Sequence, residues 1–157
     1  MKEYSAENIR NIAVVGHGSE GKTTLVESML FVSGAIDRQG RVEDGGTTTD
    51  FEPEETKRGI SLSAAIAPVE WKDSKINLID VPGYFDFIGE MMGPLRVADG
   101  ALITVGSVSG LVVGTEKAWD FASKHSVPKC FVINQMDREH ASFSKILEQL
   151  QERYGSS

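Results

Sequence analysis

Cysteine is almost missing from this chain. Cys130 is the only one in 157 residues, which excludes a disulfide within the chain and with it the stapled scaffold of a small secreted protein. A reducing, cytoplasmic setting is the expectation that follows. Positive charge is also scarce: 16 Lys and Arg stand against 23 Asp and Glu, for a formal net charge of -7. A domain that grips nucleic acid through its own field needs the opposite balance. No direct DNA binding is therefore expected, and any contact with RNA would be local or made by another part of a longer protein. Long apolar runs are lacking too. No segment approaches the roughly 18 residues that span a bilayer, and Met1-Lys2-Glu3-Tyr4-Ser5-Ala6-Glu7 has no signal-peptide core. No membrane is expected among its partners. Without repeats, linkers or low-complexity tracts, residues 1–157 read as one domain, long enough for a proper core.

What is present starts with Gly16-His17-Gly18-Ser19-Glu20-Gly21-Lys22-Thr23. The apolar run Ile12-Ala13-Val14-Val15 precedes it and Thr24-Leu25-Val26-Glu27-Ser28-Met29-Leu30 follows. That is strand, glycine loop, helix: a G-x-x-x-x-G-K-[ST] phosphate cradle. Backbone N–H groups of such a loop converge on a phosphate, and the helix dipole favours its negative charge. Lys22 adds a cation that reaches the terminal phosphates, and the Thr23 hydroxyl suits Mg²⁺.

Further along, the helix is expected over residues 24–32, followed by a polar loop over residues 35–59 whose length inside a compact domain points to function or mobility. Residues 60–71 and 76–79 read as two strands of a hairpin around the turn Lys72-Asp73-Ser74-Lys75. The second strand ends in Asp80-Val81-Pro82-Gly83. An acid at a strand's carboxyl end before a glycine turn suits a partner of Mg²⁺. Residues 85–98 read as an irregular helix, 101–105 as a strand, 115–125 as a helix, 130–133 as a strand and 141–154 as an amphipathic helix. Cys130, inside Lys129-Cys130-Phe131-Val132-Ile133, is expected to be a buried core thiol.

Short apolar strands alternating with helices indicate an α/β fold: a doubly wound, mostly parallel sheet with one antiparallel strand and helices on both faces. Every parallel strand then delivers its carboxyl end to one edge, where ligands bind. The cradle, Asp80 and the loop Asn134-Gln135-Met136-Asp137 all fall there. A carboxylate in that last loop can accept from the N1–H and exocyclic amine of guanine, a donor pair that adenine lacks. Facing adenine, Asp137 would be desolvated and unpaired, and sites of this kind discriminate by roughly 10⁴ or more.

Together these residues resemble the translational GTPases, with the nearest likeness to the GTP-binding domain of elongation factor G. The carrying stretches include Lys57-Arg58-Gly59-Ile60-Ser61, Ile79-Asp80-Val81-Pro82-Gly83-Tyr84, Leu95-Arg96-Val97-Ala98-Asp99-Gly100-Ala101 and Asn134-Gln135-Met136-Asp137-Arg138. The resemblance implies a P-loop NTPase fold, GTP and GDP as ligands with Mg²⁺, and the ribosome as partner of the complete protein. It places Lys22 on the β- and γ-phosphates, Thr23 on Mg²⁺, and Thr24 near the α-phosphate. Ser61 would complete the Mg²⁺ shell, where the family usually has Thr, and Gly83 would offer its N–H to the γ-phosphate. Residues 16–24, 80–83, Asn134, Gln135 and Asp137 form the implied nucleotide site; Lys22, Gly83 and Tyr84 the implied hydrolytic set; Thr23, Ser61 and Asp80 the implied metal set.

Departures from the family pattern matter as much. Tyr84 stands where a His usually orients the attacking water. A phenol, ordinarily titrating near 10, donates a hydrogen bond but is a poor proton acceptor at pH 7, so slow turnover is expected. Gln135 replaces a Lys whose stem crosses the base, which implies weaker affinity with guanine preference kept. Ser19 and Gly18 replace an Asp implicated in monovalent-cation binding and an apolar gate neighbour, so cation activation is not carried over. The chain stops at Gly155-Ser156-Ser157, before the family's last strand and final guanine loop. A truncated, weakly nucleotide-binding piece of a paralogue is the expectation. Two alternatives stay open here: a GTP-binding regulatory switch with negligible hydrolysis, and an ATP-using phosphotransferase.

Overall fold

The structure, a computed structural model, describes residues 2–155; Met1, Ser156 and Ser157 fall outside the described residues. Its frame is a five-stranded sheet built from β1 (Ile9–Gly16), β2 (Ala65–Trp71), β3 (Ser74–Asp80), β4 (Gly100–Gly106) and β5 (Lys129–Asn134), in the order β2-β3-β1-β4-β5. β1 pairs in parallel with both β3 and β4, and β4 with β5, while β2 closes an antiparallel hairpin on β3. The expected mixed sheet is therefore present. The chain leaves β1 to one side for β3 and to the other for β4, so the carboxyl end of β1, where Gly16 opens the glycine loop, sits at the point where strand order reverses.

Alternation along the strands divides the apolar side chains between two faces. Val14 and Leu78 meet Val26 and Leu30 of α1 (Lys22–Val32) on one face. Ala13, Val15, Ile79, Ala101 and Ile103 face the other, where α3 (Met92–Val97) and α4 (Val113–Lys124) deliver Leu95, Ala118 and Ala122. Further along that second face, α5 (Phe143–Tyr154) packs Ile146 and Leu150 on Val105. The Ser142 hydroxyl caps α5 by accepting from the Lys145 N–H. Among the described residues no helix is long and apolar enough to cross a membrane.

Four sequence-based expectations are corrected. Cys130 is exposed, not buried. Its neighbour Phe131 packs on the α4 and α5 face, so Cys130 points to the opposite face, and the α1 cluster there is built on β1, β2 and β3 with only Leu102 from the β4 side. The strand expected from residue 60 begins at Ala65, because the Leu62 and Ser63 N–H groups bond the Glu55 carboxylate rather than a neighbouring strand. Helix α1 starts at Lys22, two residues earlier than its apolar pattern suggests. The polar segment 35–59 contains a 3₁₀ turn at Val42–Asp44 and the helix α2 (Pro53–Arg58), and it buries Thr47, Thr49, Asp50 and Glu55. The irregular helix is found as expected: a 3₁₀ stretch over Phe85–Met91, non-helical at Phe87, runs into α3.

Candidate functional site

Two neighbouring depressions open at the carboxyl edge of the sheet. The first is a cavity of about 300 Å³ whose walls include Ser19, Lys22, Thr23, Ser61, Gly83 and Tyr84. The second is lined by Asn134, Gln135 and Asp137 together with residues 39–43. Gly21, Thr24 and Gln135 line both, which makes one continuous cleft.

The glycine loop bends through three positions with positive φ, Gly16 (φ 139), Ser19 (φ 62) and Gly21 (φ 79). At Gly21 a side chain is excluded twice, by φ and by the Asn134 Nδ2 atom, which lies 2.6 Å from where a Cβ would sit. That amide donates to the Glu20 carbonyl at 2.9 Å and to Gly21 at 3.3 Å, and Gln135 Nε2 donates to the Ser19 carbonyl at 2.8 Å. The end of β5 and the first residue of the loop after it are thus both tied to the glycine loop. Gln135, although shorter than Lys, still reaches. Asp137 stays on the exposed rim of the second depression.

Gly83 makes the other close approach. A Cβ there would fall on Lys22 Nζ and lie 2.6 Å from the His17 carbonyl carbon, so only glycine lets the turn after β3 sit on the glycine loop. Val81 and Pro82 are buried and carry the chain to it, with Val81 N–H donating to Val14 at 3.2 Å. Tyr84 then reaches back over the loop. His17 contributes its backbone carbonyl, which accepts from Lys22 Nζ at 2.7 Å; its ring packs on Gly114.

Beneath the cavity lies a buried cluster of oxygens. Asp80 accepts from the Thr49 hydroxyl at 2.7 Å, and Thr23 Oγ1 and Ser61 Oγ stand 3.2 Å apart. Burial pushes the Asp80 carboxyl up to about 6, against the pull of Thr49, Thr23 and Lys22. Desolvation also raises Glu20 and Asp50, and it lowers Lys22, which Asp80, Glu20 and Asp50 push back up. One buried cation therefore faces three buried carboxylates. Asp80 Oδ1, Asp50 Oδ1 and Glu20 Oε2 are buried with no hydrogen-bond partner. Among the described residues no three His, Cys, Asp or Glu converge as a metal cage. Orphaned carboxylate oxygens beside two hydroxyls are instead hard donors of the kind Mg²⁺ takes while it keeps waters and phosphate oxygens. The residues fit that ion.

Sequence reasoning missed Asp50, Thr49, Glu27 and Glu55. Glu27 accepts the Gly40 and Thr48 N–H groups, and Glu55 accepts those of Glu52, Leu62 and Ser63. Only Glu55 carries a local mark, its capping box with Glu52 at the start of α2; the others work through partners distant in sequence.

The family described as Elongation factor Tu GTP binding domain matches residues 7–156. The chain belongs to that family. It is a translational-GTPase G domain of the elongation factor G type. It is 41% identical over 157 residues to the mitochondrial ribosome-releasing factor 2 of Scheffersomyces stipitis, covering 98% of this chain and 19% of that protein. It is 40% identical over 153 residues to elongation factor G of Granulibacter bethesdensis, covering 98% of this chain and 22% of that protein. A crystal structure of a Thermus thermophilus protein superposes with a TM-score of 0.90 at 41% identity, over 94% of this chain and 22% of that one. The chain thus spans about a fifth of the length of these relatives. Membership implies binding of guanine nucleotides and hydrolysis of GTP. It does not support a module with negligible hydrolysis, or an ATP-using phosphotransferase.

Proposed function

We propose that this G domain binds GTP with Mg²⁺ in the cleft and hydrolyses it slowly, as part of a longer translation factor that acts on the ribosome. The observation that carries the reading is the meeting of Lys22, Thr23, Ser61 and Gly83 around one cavity with Asp80 buried below it. The ribosome enters through the names of the relatives alone.

In this reading the N–H groups of residues 18–24 cradle the phosphates and Lys22 neutralises the terminal ones. Thr23 and Ser61 would hold Mg²⁺, with Asp80 supporting it. When bound, the ion offsets charge that develops on the transferred phosphoryl oxygens. Gly83 presents its N–H to the terminal phosphate. Tyr84 offers a hydroxyl at the same end where the family usually has a His, and slow turnover is expected from that exchange. Asp137 reads guanine. Asn134 spends its amide nitrogen on the glycine loop and so positions the base site more than it reads it. Gly16, His17, Ser19, Glu20, Val81, Pro82 and Gln135 shape the cleft.

Calorimetric competition tests the nucleotide assignment. GTP should displace GDP while ATP does not, and Asp137→Ala should lose about ten- to a hundredfold of the guanine preference. Equal binding of ATP and GTP overturns it. For the hydrolytic step, single-turnover phosphate release in the complete protein with ribosomes should rise at least tenfold in Tyr84→His. No gain would mean that the phenol is not what slows the reaction.

A further inference from the structure

Three side-chain positions that look like separate peculiarities of the sequence meet in space. The Tyr84 hydroxyl lies 2.9 Å from the Ser19 hydroxyl. A Cβ added to Gly18 would sit 3.0–3.1 Å from the Tyr84 ring, whose atoms are the nearest to that position. One residue earlier, the Gly83 backbone is pressed against His17 and Gly18. The turn after β3 is therefore seated on the glycine loop residue by residue: backbone on 17–18, ring on 18, hydroxyl on 19. Ser19 is fixed from its other side as well, since its carbonyl accepts from Gln135. It holds a left-handed conformation (φ 62) that a non-glycine residue adopts only when its surroundings enforce it.

We infer that Gly18 and Ser19 are positioning residues for Tyr84, and that this tether sets the preference of the site for nucleoside triphosphate over diphosphate. The inference rests on the proposed placement of the terminal phosphate beside Gly83. A turn that must contact that phosphate gains affinity for it by being in place beforehand, because the apparent dissociation constant scales inversely with the fraction already competent. A diphosphate makes no contact there and gains nothing. The tether is a contact of the protein with itself, so it holds the turn without any nucleotide. Being one neutral hydrogen bond at the edge of the cavity, it shifts the balance about two- to tenfold.

The test uses Ser19→Ala, Tyr84→Phe and the double variant in the 157-residue chain. Ser19→Ala removes the hydroxyl and keeps Cβ, leaving the backbone strain unchanged; Tyr84→Phe keeps the ring. In the nucleotide-free protein, deuterium uptake at the Phe87 amide, which donates to the Tyr84 carbonyl at 3.0 Å, should rise by the same factor in both single variants and no further in the double. The affinity ratio of a non-hydrolysable GTP analogue to GDP, measured by calorimetry with Mg²⁺, should fall about two- to tenfold, again equally in all three. Gly18→Ala should move both readouts the same way by displacing the ring, and its effect on deuterium uptake should shrink in a Tyr84→Ala background, where the ring it displaces is gone. Losses that multiply in the double variant, an unmoved ratio, or unchanged uptake each overturn the inference. A wild-type chain that binds neither nucleotide refutes the functional reading instead, and the uptake arm still decides whether the tether exists.

Discussion

A lysine and three carboxylates buried together make the residue scale of this site electrostatically uncomfortable, and the discomfort has a sign. Asp80 titrates at about 6 in the fold, against an ordinary 3.8, because burial disfavours its charged form. Between about pH 4 and 6 the folded chain then holds more protons than the unfolded one, so stability falls as pH rises through that window and levels off above it. Glu20 and Asp50 are displaced in the same direction. Thermal melts in chelator should show Asp80→Asn gaining on the wild type from pH 4 to 6 and holding its advantage at pH 7. A difference that does not change with pH would mean that desolvation is not what governs Asp80. A buried carboxylate that destabilises the empty fold is suited to a divalent cation, which supplies the missing partner.

At the scale of elements, the segment between α1 and β2 is held by two buried glutamates rather than by a regular ladder. Glu55 is 2% exposed and gathers three backbone N–H groups, two of them from the stretch that carries Ser61 towards Thr23. Glu55→Ala should cost about 2–3 kcal/mol in urea unfolding, because buried donors lose their acceptor, and it should raise deuterium uptake over residues 61–63. Retained protection there would show that Ser61 is placed by something else. This is also where the sequence was least legible. The cradle at 16–23, Asp80 with Gly83, and the loop after β5 could be read because each packs its chemistry into a few consecutive residues at a strand end. Glu27, Asp50 and Glu55 could not: on a helix or in a polar segment a buried carboxylate and a solvated one look alike, and only long-range packing tells them apart. The same competition explains β2, whose apolar alternation starts at residue 60 while the N–H groups of 62 and 63 are already committed to Glu55. The departures at Gly18, Ser19, Tyr84 and Gln135 were visible one by one, but their convergence was not, since it joins three loops.

Across the whole molecule, the strand order puts the glycine loop, the turn after β3 and the loop after β5 on one edge, and an aromatic cluster fastens the last element to that frame. Trp119 of α4, Phe131 of β5 and Tyr154 of α5 have ring centroids 4.3–5.4 Å apart, with Lys129 Nζ 4.5 Å from the Trp119 ring. Trp119→Ala should lower stability by about 1–3 kcal/mol, less than a fully buried aromatic would, and loosen α5 ahead of the rest in hydrogen exchange. Uniform loosening would show that α5 is not held by this cluster. The doubly wound arrangement was legible from strand and helix alternation. The exposure of Cys130 was not, because an apolar strand reads as buried on both faces until the coverage of each face is known.

That lone exposed thiol has a practical side. It is the single cysteine of these 157 residues, it faces solvent, and it sits four residues before Asn134 on the strand that leads into the loop carrying Gln135 and Asp137. The chain thus comes with one address for a fluorophore or spin label, on a strand that ends at the candidate cleft but outside the cleft's lining, and no cysteine needs to be removed before the label is attached.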